Sequence, residues 1–277
     1  MTRELNENEY INQEDGFIYC SICGQPKEKI YHYNAFDEDR CECIKCRCEI
    51  EKEEREKHEE EEREKRMHIE RIRQDGMRDE KLRKCTFDND KGFCSKMDIA
   101  REYVDEFETL KQGGNGLLLW GPPGSGKTFF AACIANALIE REISVYMTNF
   151  STVINTLTGL FSEEKNKFIS DISSKQLLVI DDLGIERNTE YALEQVYNVI
   201  DTRYRSGKPM IVTTNIALDD MKKPKDLMHK RIFDRVLEVC TPILINDENI
   251  RDIKTEENNK IVGKTIKNCE GMVKRNE

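Results

Sequence analysis

The run Gly121-Pro122-Pro123-Gly124-Ser125-Gly126-Lys127-Thr128 has the spacing G-x-x-x-x-G-K-[ST]. Residues of these types in this order can grip a polyphosphate. Glycines let a loop wrap tightly, so that successive backbone N–H groups face phosphate oxygens. A helix opening directly behind the loop adds the positive end of its dipole. Lys127 would reach the β- and γ-phosphates of ATP, and the Thr128 hydroxyl would ligate magnesium. A glycine turn with no ligand is the plainer reading, and the flanks argue against it. The apolar run Gly116–Trp120 precedes the loop and the small, apolar stretch Phe129–Glu140 follows it. That is the strand–loop–helix context a phosphate loop requires.

A second group of residues completes the chemistry. Leu177-Leu-Val-Ile-Asp181-Asp182 ends an apolar strand on two carboxylates, at the end of a strand where open α/β sheets bind ligands. Asp181 would hold magnesium, directly or through water. Asp182 would orient the attacking water, although Asp is one methylene shorter than the Glu that many such sites carry. A turn cap is the competing role for this pair. Asn215 closes Pro209–Thr214, and its amide could touch the γ-phosphate or the water; a strand-end turn residue is the alternative. Arg231 and Arg235 are four residues apart on an expected helix and share one face. Such a pair can act as an arginine finger in a neighbouring subunit, which supplies about 10³–10⁵ in rate, or can be two solvated surface cations.

These side chains need a sheet to hold them. Beyond Cys85 short apolar strands alternate with amphipathic helices: Gly116–Trp120, Ile143–Thr148, Gln176–Ile180, Pro209–Thr214 and a fifth strand within Val236–Leu244, with Glu190–Tyr204 helical. Continuous apolar strands alternating with helices imply a parallel sheet covered on both faces. If the strand order is 5-1-4-3-2, Asn215 lies beside the strands carrying the phosphate loop and the Asp pair.

Upstream the texture differs. Six of the 11 cysteines fall at Cys20, Cys23, Cys41, Cys43, Cys46 and Cys48. A local cluster in a chain without a secretory leader points to a metal rather than to disulfides. Cys20-x-x-Cys23 sets two thiolates on one ion. Cys43-x-x-Cys46 would complete a standard zinc spacing, Cys46-x-Cys48 is the alternative, and His32 is an outside candidate. Structural zinc would fold a stretch too short for its own core. In residues 49–84, 26 of 36 side chains are charged, 12 positive and 14 negative. Opposite charges at i,i+4, as in Glu51–Arg55 and Glu53–Lys57, suit a solvated spacer helix, with Gly76 as a break and Met67, Ile69 and Ile72 as the only hint of a partner.

The expected organisation is a flexible tail (1–18), a zinc module (19–48), a charged helical linker (49–84), a nucleotide domain (85–246) and a polar tail (247–277). The net charge of −10 excludes a wholly basic nucleic-acid coat but not a local basic groove. No apolar run approaches 18 residues, so no membrane span is expected, and the polar start suggests the cytoplasm.

Residues 85–245 resemble the DnaC/IstB group of AAA+ ATPases. The resemblance is carried by Cys85-Thr-Phe-Asp-Asn89, Tyr103-Val-Asp-Glu-Phe107, Gly116–Gly121, Leu177–Gly184, Arg203-Tyr-Arg-Ser-Gly-Lys-Pro209, Ile211-Val-Thr-Thr-Asn215 and Arg231-Ile-Phe-Asp-Arg235. It implies a P-loop AAA+ domain with a five-stranded parallel sheet and little or no helical lid. It also implies ATP hydrolysis, with Arg235 as the finger and Arg231 beside it. Several helicase loaders of this group resemble the chain in a C-x-x-C followed by C-[KR]-C-[EQ], which favours Cys46 and Cys48 as the second zinc pair. The N-terminal module resembles the part of loaders that binds a DnaB-like replicative helicase, which makes residues 1–84 the expected partner-binding part. The segment Asn149–Ser174, with Lys165, Lys167 and Phe168, matches the place where such loaders contact single-stranded DNA, and cations beside an aromatic suit that role. The resemblance extends to transposition helper ATPases of the IstB type, and an adaptor that uses ATP only as a switch is the third reading.

Overall fold

A computed structural model describes residues 5–34, 37–90, 92, 94–184, 189–224 and 226–247. The chain divides into two units, Met1–Met67 and His68–Glu277.

The first unit is built on two antiparallel hairpins. Strand β1 (Glu9–Ile11) pairs with β2 (Ile18–Cys20), and β3 (Glu28–Tyr33) pairs with β4 (Glu38–Cys43). The expected flexible tail is therefore partly ordered. Tyr10 sits opposite Tyr19 with ring centroids 5.9 Å apart, a cross-strand aromatic pair of the kind that stabilises a hairpin. Lys27 adds ion pairs to Glu9 and, at 2.7 Å, to Glu49. Helix α1 (Arg47–Gly76) follows. From residue 50 to 68 it is exposed on every side, and it carries i,i+4 pairs such as Arg47–Glu51 and Lys52–Glu56, as a charge-laced helix should.

The second unit takes in the end of α1. Ile69 is buried in its core and Ile72 packs against that core, so the segment expected as a solvated linker up to residue 84 joins the folded domain from residue 68 onward. The helix stops at Gly76, where a Cβ would come 1.9 Å from the Val145 carbonyl oxygen. The next residue, Met77, is fully buried and forms a parallel bridge to Met147. Then come α2 (Glu80–Arg83), α3 (Met97–Asp105), α4 (Phe107–Gln112), β5 (Gly116–Trp120), α5 (Lys127–Glu140), β6 (Val145–Asn149), α6 (Phe150–Thr158), α7 (Ser162–Ser174), β7 (Leu177–Leu183), α8 (Glu190–Arg205), β8 (Met210–Thr214), α9 (Leu218–Lys222), α10 (Leu227–Val239) and β9 (Cys240–Leu244).

The five strands form one parallel sheet in the order β6-β7-β8-β5-β9. Numbered along the chain from β5, this is the 5-1-4-3-2 arrangement. Successive strand residues face opposite sides. Leu117, Leu119, Val145, Met147, Leu177, Val179 and Ile211 pack on one side with α3 and α5. Leu118, Tyr146, Leu178, Ile180, Met210 and Val212 pack on the other with α6 to α10. Helix α5 is buried along nearly its whole length, which is why its sequence is apolar all round rather than striped. The fifth strand begins only at Cys240, because Val236–Val239 complete α10. Among the described residues no helix is long and apolar enough to cross a membrane. The polar stretch expected as a tail, and with it the question of a lid, lies outside the described residues apart from Asp247.

Candidate active site

The phosphate loop connects β5 to α5. Gly121 has φ 146° and a Cβ there would lie 2.0 Å from the Ile245 carbonyl oxygen, so only glycine fits. Gly126, at φ 95°, precedes the first residue of α5, again a backbone that L side chains rarely adopt. Lys127 is 5% exposed, and its ammonium donates to the carbonyls of Gly121 (3.0 Å) and Pro122 (2.7 Å). A buried cation at a helix N-terminus is a site for an anion of high charge.

Thr128, the second residue of α5, donates its hydroxyl to Asp181, 2.9 Å from Oδ1 and 3.1 Å from Oδ2. The sheet thus brings together the loop threonine and the carboxylate that the sequence separates by 53 positions. A second hydroxyl, from Thr213 of β8, donates to Asp181 Oδ1 at 2.6 Å. Burial pushes the Asp181 carboxyl above its ordinary range, opposed by the Thr213 hydrogen bond. A hard divalent cation would relieve that burial cost, and the hydroxyl–carboxylate donor set suits magnesium.

Asp182 adopts a left-handed backbone, φ 60°, and its N–H donates to Thr213 Oγ1 at 2.9 Å. Asp and Asn tolerate this conformation better than most residues, which gives a backbone reason for Asp at this position. Asn215 follows β8 directly and is exposed. On α10, Arg231 is exposed, whereas Arg235 is seated within its own chain. It pairs with Asp201 at 2.6 Å, donates to the Tyr197 hydroxyl at 3.2 Å, and lies over the Tyr204 ring at 4.8 Å. The spacing of the two arginines gave no sign of this difference.

In the first unit the sulfurs of Cys20, Cys23, Cys46 and Cys48 all lie within 4.8 Å of one another. Cys48 Sγ is 3.2 Å from Cys46, 3.4 Å from Cys20 and 3.6 Å from Cys23. Tetrahedral zinc with Zn–S of about 2.3 Å separates its sulfurs by about 3.8 Å, so the four residues fit that ion. Backbone N–H groups lower the Cys20 and Cys23 thiols, whereas burial raises Cys46 and its thiol neighbours raise Cys48, so the group divides into two thiols that favour the thiolate a metal needs and two that do not. Cys43 is outside the group: it is exposed on β4, opposite Glu28. His32 is also outside, on β3 with Nδ1 2.7 Å from Asp39.

The expected DNA contacts divide. Lys167 is exposed on α7, whereas Lys165 is half-buried on a different face and lies 5.3 Å over the Tyr191 ring. Phe168 is half-buried and packs against the core. The exposed aromatic is Phe161, 82% accessible just before α7. A groove between α7 and α8 is lined by Lys165, Asn166, Gln195 and Asn198 among others.

A family model for IstB-like ATP binding proteins matches residues 54–258. The chain belongs to this family. The replicative helicase loader DnaC of Escherichia coli (strain K12) is 30% identical over 161 residues, 55% of this chain and 62% of that protein. The replicative helicase loader DnaI of Bacillus subtilis (strain 168) is 31% identical over 152 residues, 50% of this chain and 48% of that protein. This chain thus spans less than two thirds of the length of these relatives. A crystal structure of DnaI, 24% identical, superimposes with a TM-score of 0.51 over 62% of this chain and 93% of the other, a likeness of fold.

Proposed function

We propose that this IstB-family protein is an ATP-hydrolysing loader for a DnaB-like replicative helicase, acting on single-stranded DNA. The observation that carries the enzymatic part is the junction of Thr128 with Asp181 beside the buried Lys127. A strand-end carboxylate, a helix-start hydroxyl and a loop ammonium meet where a triphosphate tail would lie. The loader part is supported by the likeness to DnaC and DnaI and by the four-cysteine group ahead of the nucleotide domain.

In this reading the loop N–H groups and Lys127 bind the β- and γ-phosphates and draw off negative charge. Thr128 and Asp181 would hold magnesium, which would neutralise charge developing on the phosphates. Asp182 orients water for in-line attack at the γ-phosphorus, and Asn215 contacts the water or the phosphate. Arg235 of a neighbouring subunit would complete the site, exchanging its Asp201 partner for phosphate on assembly, with Arg231 alongside. Residues 1–67 would engage the helicase. Lys165, Lys167 and the exposed Phe161 would meet the DNA strand. The place of action would be the cytoplasm.

Steady-state phosphate release, with and without single-stranded DNA, tests the enzyme. Nucleotide binding without turnover would leave an ATP-switched adaptor. Capture of the host's proteins on the full-length chain tests the partner: a replicative helicase is expected, and a transposase in its place would mean a transposition helper.

A further inference from the structure

We propose that Thr213 is a positioning residue that makes Asp181 and Asp182 one unit, a role that rests on the hydrolytic reading of this site. The register between β7 and β8 is regular up to Ile180 opposite Val212, and resumes with Leu183 opposite Thr214. Two residues of β7, Asp181 and Asp182, therefore face a single residue of β8, Thr213. Such a bulge leaves one residue without its ladder partner and re-aims side chains at strand ends.

The Thr213 side chain fills that gap. Its oxygen accepts the Asp182 N–H at 2.9 Å and its one hydrogen goes to Asp181 Oδ1 at 2.6 Å. One hydroxyl thus fixes the left-handed backbone of Asp182 and the carboxylate plane of Asp181. Thr128 holds the same carboxylate from α5, so Asp181 is pinned between two hydroxyls. Thr214 repeats the device one step on, donating to the Leu183 carbonyl at 2.7 Å and accepting from the Ile216 N–H at 3.1 Å. Both threonines are fully buried, and the β-branch that restricts their χ1 suits a strand. The two acidic roles, holding a cation and orienting water, need fixed relative geometry, and a misplacement of about 1 Å can cost about 100-fold in rate.

The test compares Thr213→Val, which keeps shape and branching but has no hydroxyl, with Thr213→Ser, which keeps both hydrogen bonds. Thr213→Val is expected to lower kcat by about 10–100-fold, while affinity for nucleotide without magnesium moves by less than about threefold because the phosphate loop is untouched. Thr213→Ser should restore kcat to within about threefold of the parent. A second readout is independent of turnover: the gain in affinity for a non-hydrolysable ATP analogue on adding magnesium should shrink in Thr213→Val and persist in Thr213→Ser. Parental kcat and an unchanged magnesium gain in Thr213→Val would overturn the proposal, as would equal impairment in both variants. If the parent binds nucleotide but never turns it over, the hydrolytic reading fails, and the magnesium gain still decides the role of Thr213.

Discussion

Removing metal from the full-length chain should unfold residues 5–48 and leave the parallel sheet intact. The described part of the first unit has almost no apolar core: its buried residues are Cys20, Cys46 and Glu28, and Ile30, Tyr31 and Tyr33 are exposed. Two hairpins without a packed face are marginal on their own. The organising contact is the set of four sulfurs within 4.8 Å, and structural zinc contributes about 10–16 kcal/mol to such modules at neutral pH. Zinc content would be followed by elemental analysis during treatment with a tight chelator, and backbone protection by hydrogen exchange. Exchange should rise throughout residues 5–48 as zinc is lost, while β5 to β9 stay protected. Cys48→Ser should lower the zinc content of the purified chain, and Cys43→Ser should leave it at one per chain. Retained protection of residues 5–48 in zinc-free protein, or zinc loss on Cys43→Ser alone, would refute the reasoning.

Three further outcomes follow from the second unit. Arg203 is fully buried and bonds the carbonyls of Ser173, Lys175, Gln176 and Pro209; burial brings its guanidinium down to about 10. Arg203→Met should cost about 2–4 kcal/mol, chiefly by leaving those carbonyls unpaired, and an unchanged denaturation midpoint would contradict this. Asp226 caps α10 through the His229 N–H, and that bond holds its carboxyl below the ordinary range. A lowered folded-state value means the stabilisation is present above the unfolded value of 3.8 and is lost as pH falls through the folded value. Asp226→Ala should therefore lower Tm at neutral pH, with the difference vanishing in strong acid; a pH-independent difference would count against the cap. Finally, Lys127→Ala and Arg235→Ala chains should each be inactive alone and regain turnover when mixed, since one supplies the finger and the other the phosphate loop. No recovery in co-assembled mixtures would remove the finger role.

The phosphate loop and Asp181 were legible because their chemistry is local: fixed spacing, glycines, and an apolar run on either side. The strand order 5-1-4-3-2 entered as a condition on where Asn215 lies, and the sheet has it. What escaped the sequence is what depends on distant pairing. Thr213 reads as an ordinary β-branched strand residue until the bulge in β7 is seen. Arg203 reads as a surface helix cation, yet it ties together the ends of three elements. Glu9–Ile11 is too short to announce a strand within a polar stretch, and is held by Tyr19 and Lys27 from later in the chain. Ile69 stood out among the charges as a hint of a partner but packs in its own chain's core, and Met77 was masked by the charges around it. The helix phase that half-buries Phe168 and leaves Phe161 exposed at the helix start could not be read from the residue types alone.

The seam between Met77 and Met147 bears on how the nucleotide domain can be isolated. Strand β6 is an outer strand of the sheet, and unpaired outer strands invite other chains to add to them. A shortened polypeptide starting at Cys85 would strip away Ile69, Ile72 and Met77 and leave that rim bare. Such a fragment should clump and lose solubility, whereas one starting at His68 keeps its own covering and should stay monodisperse.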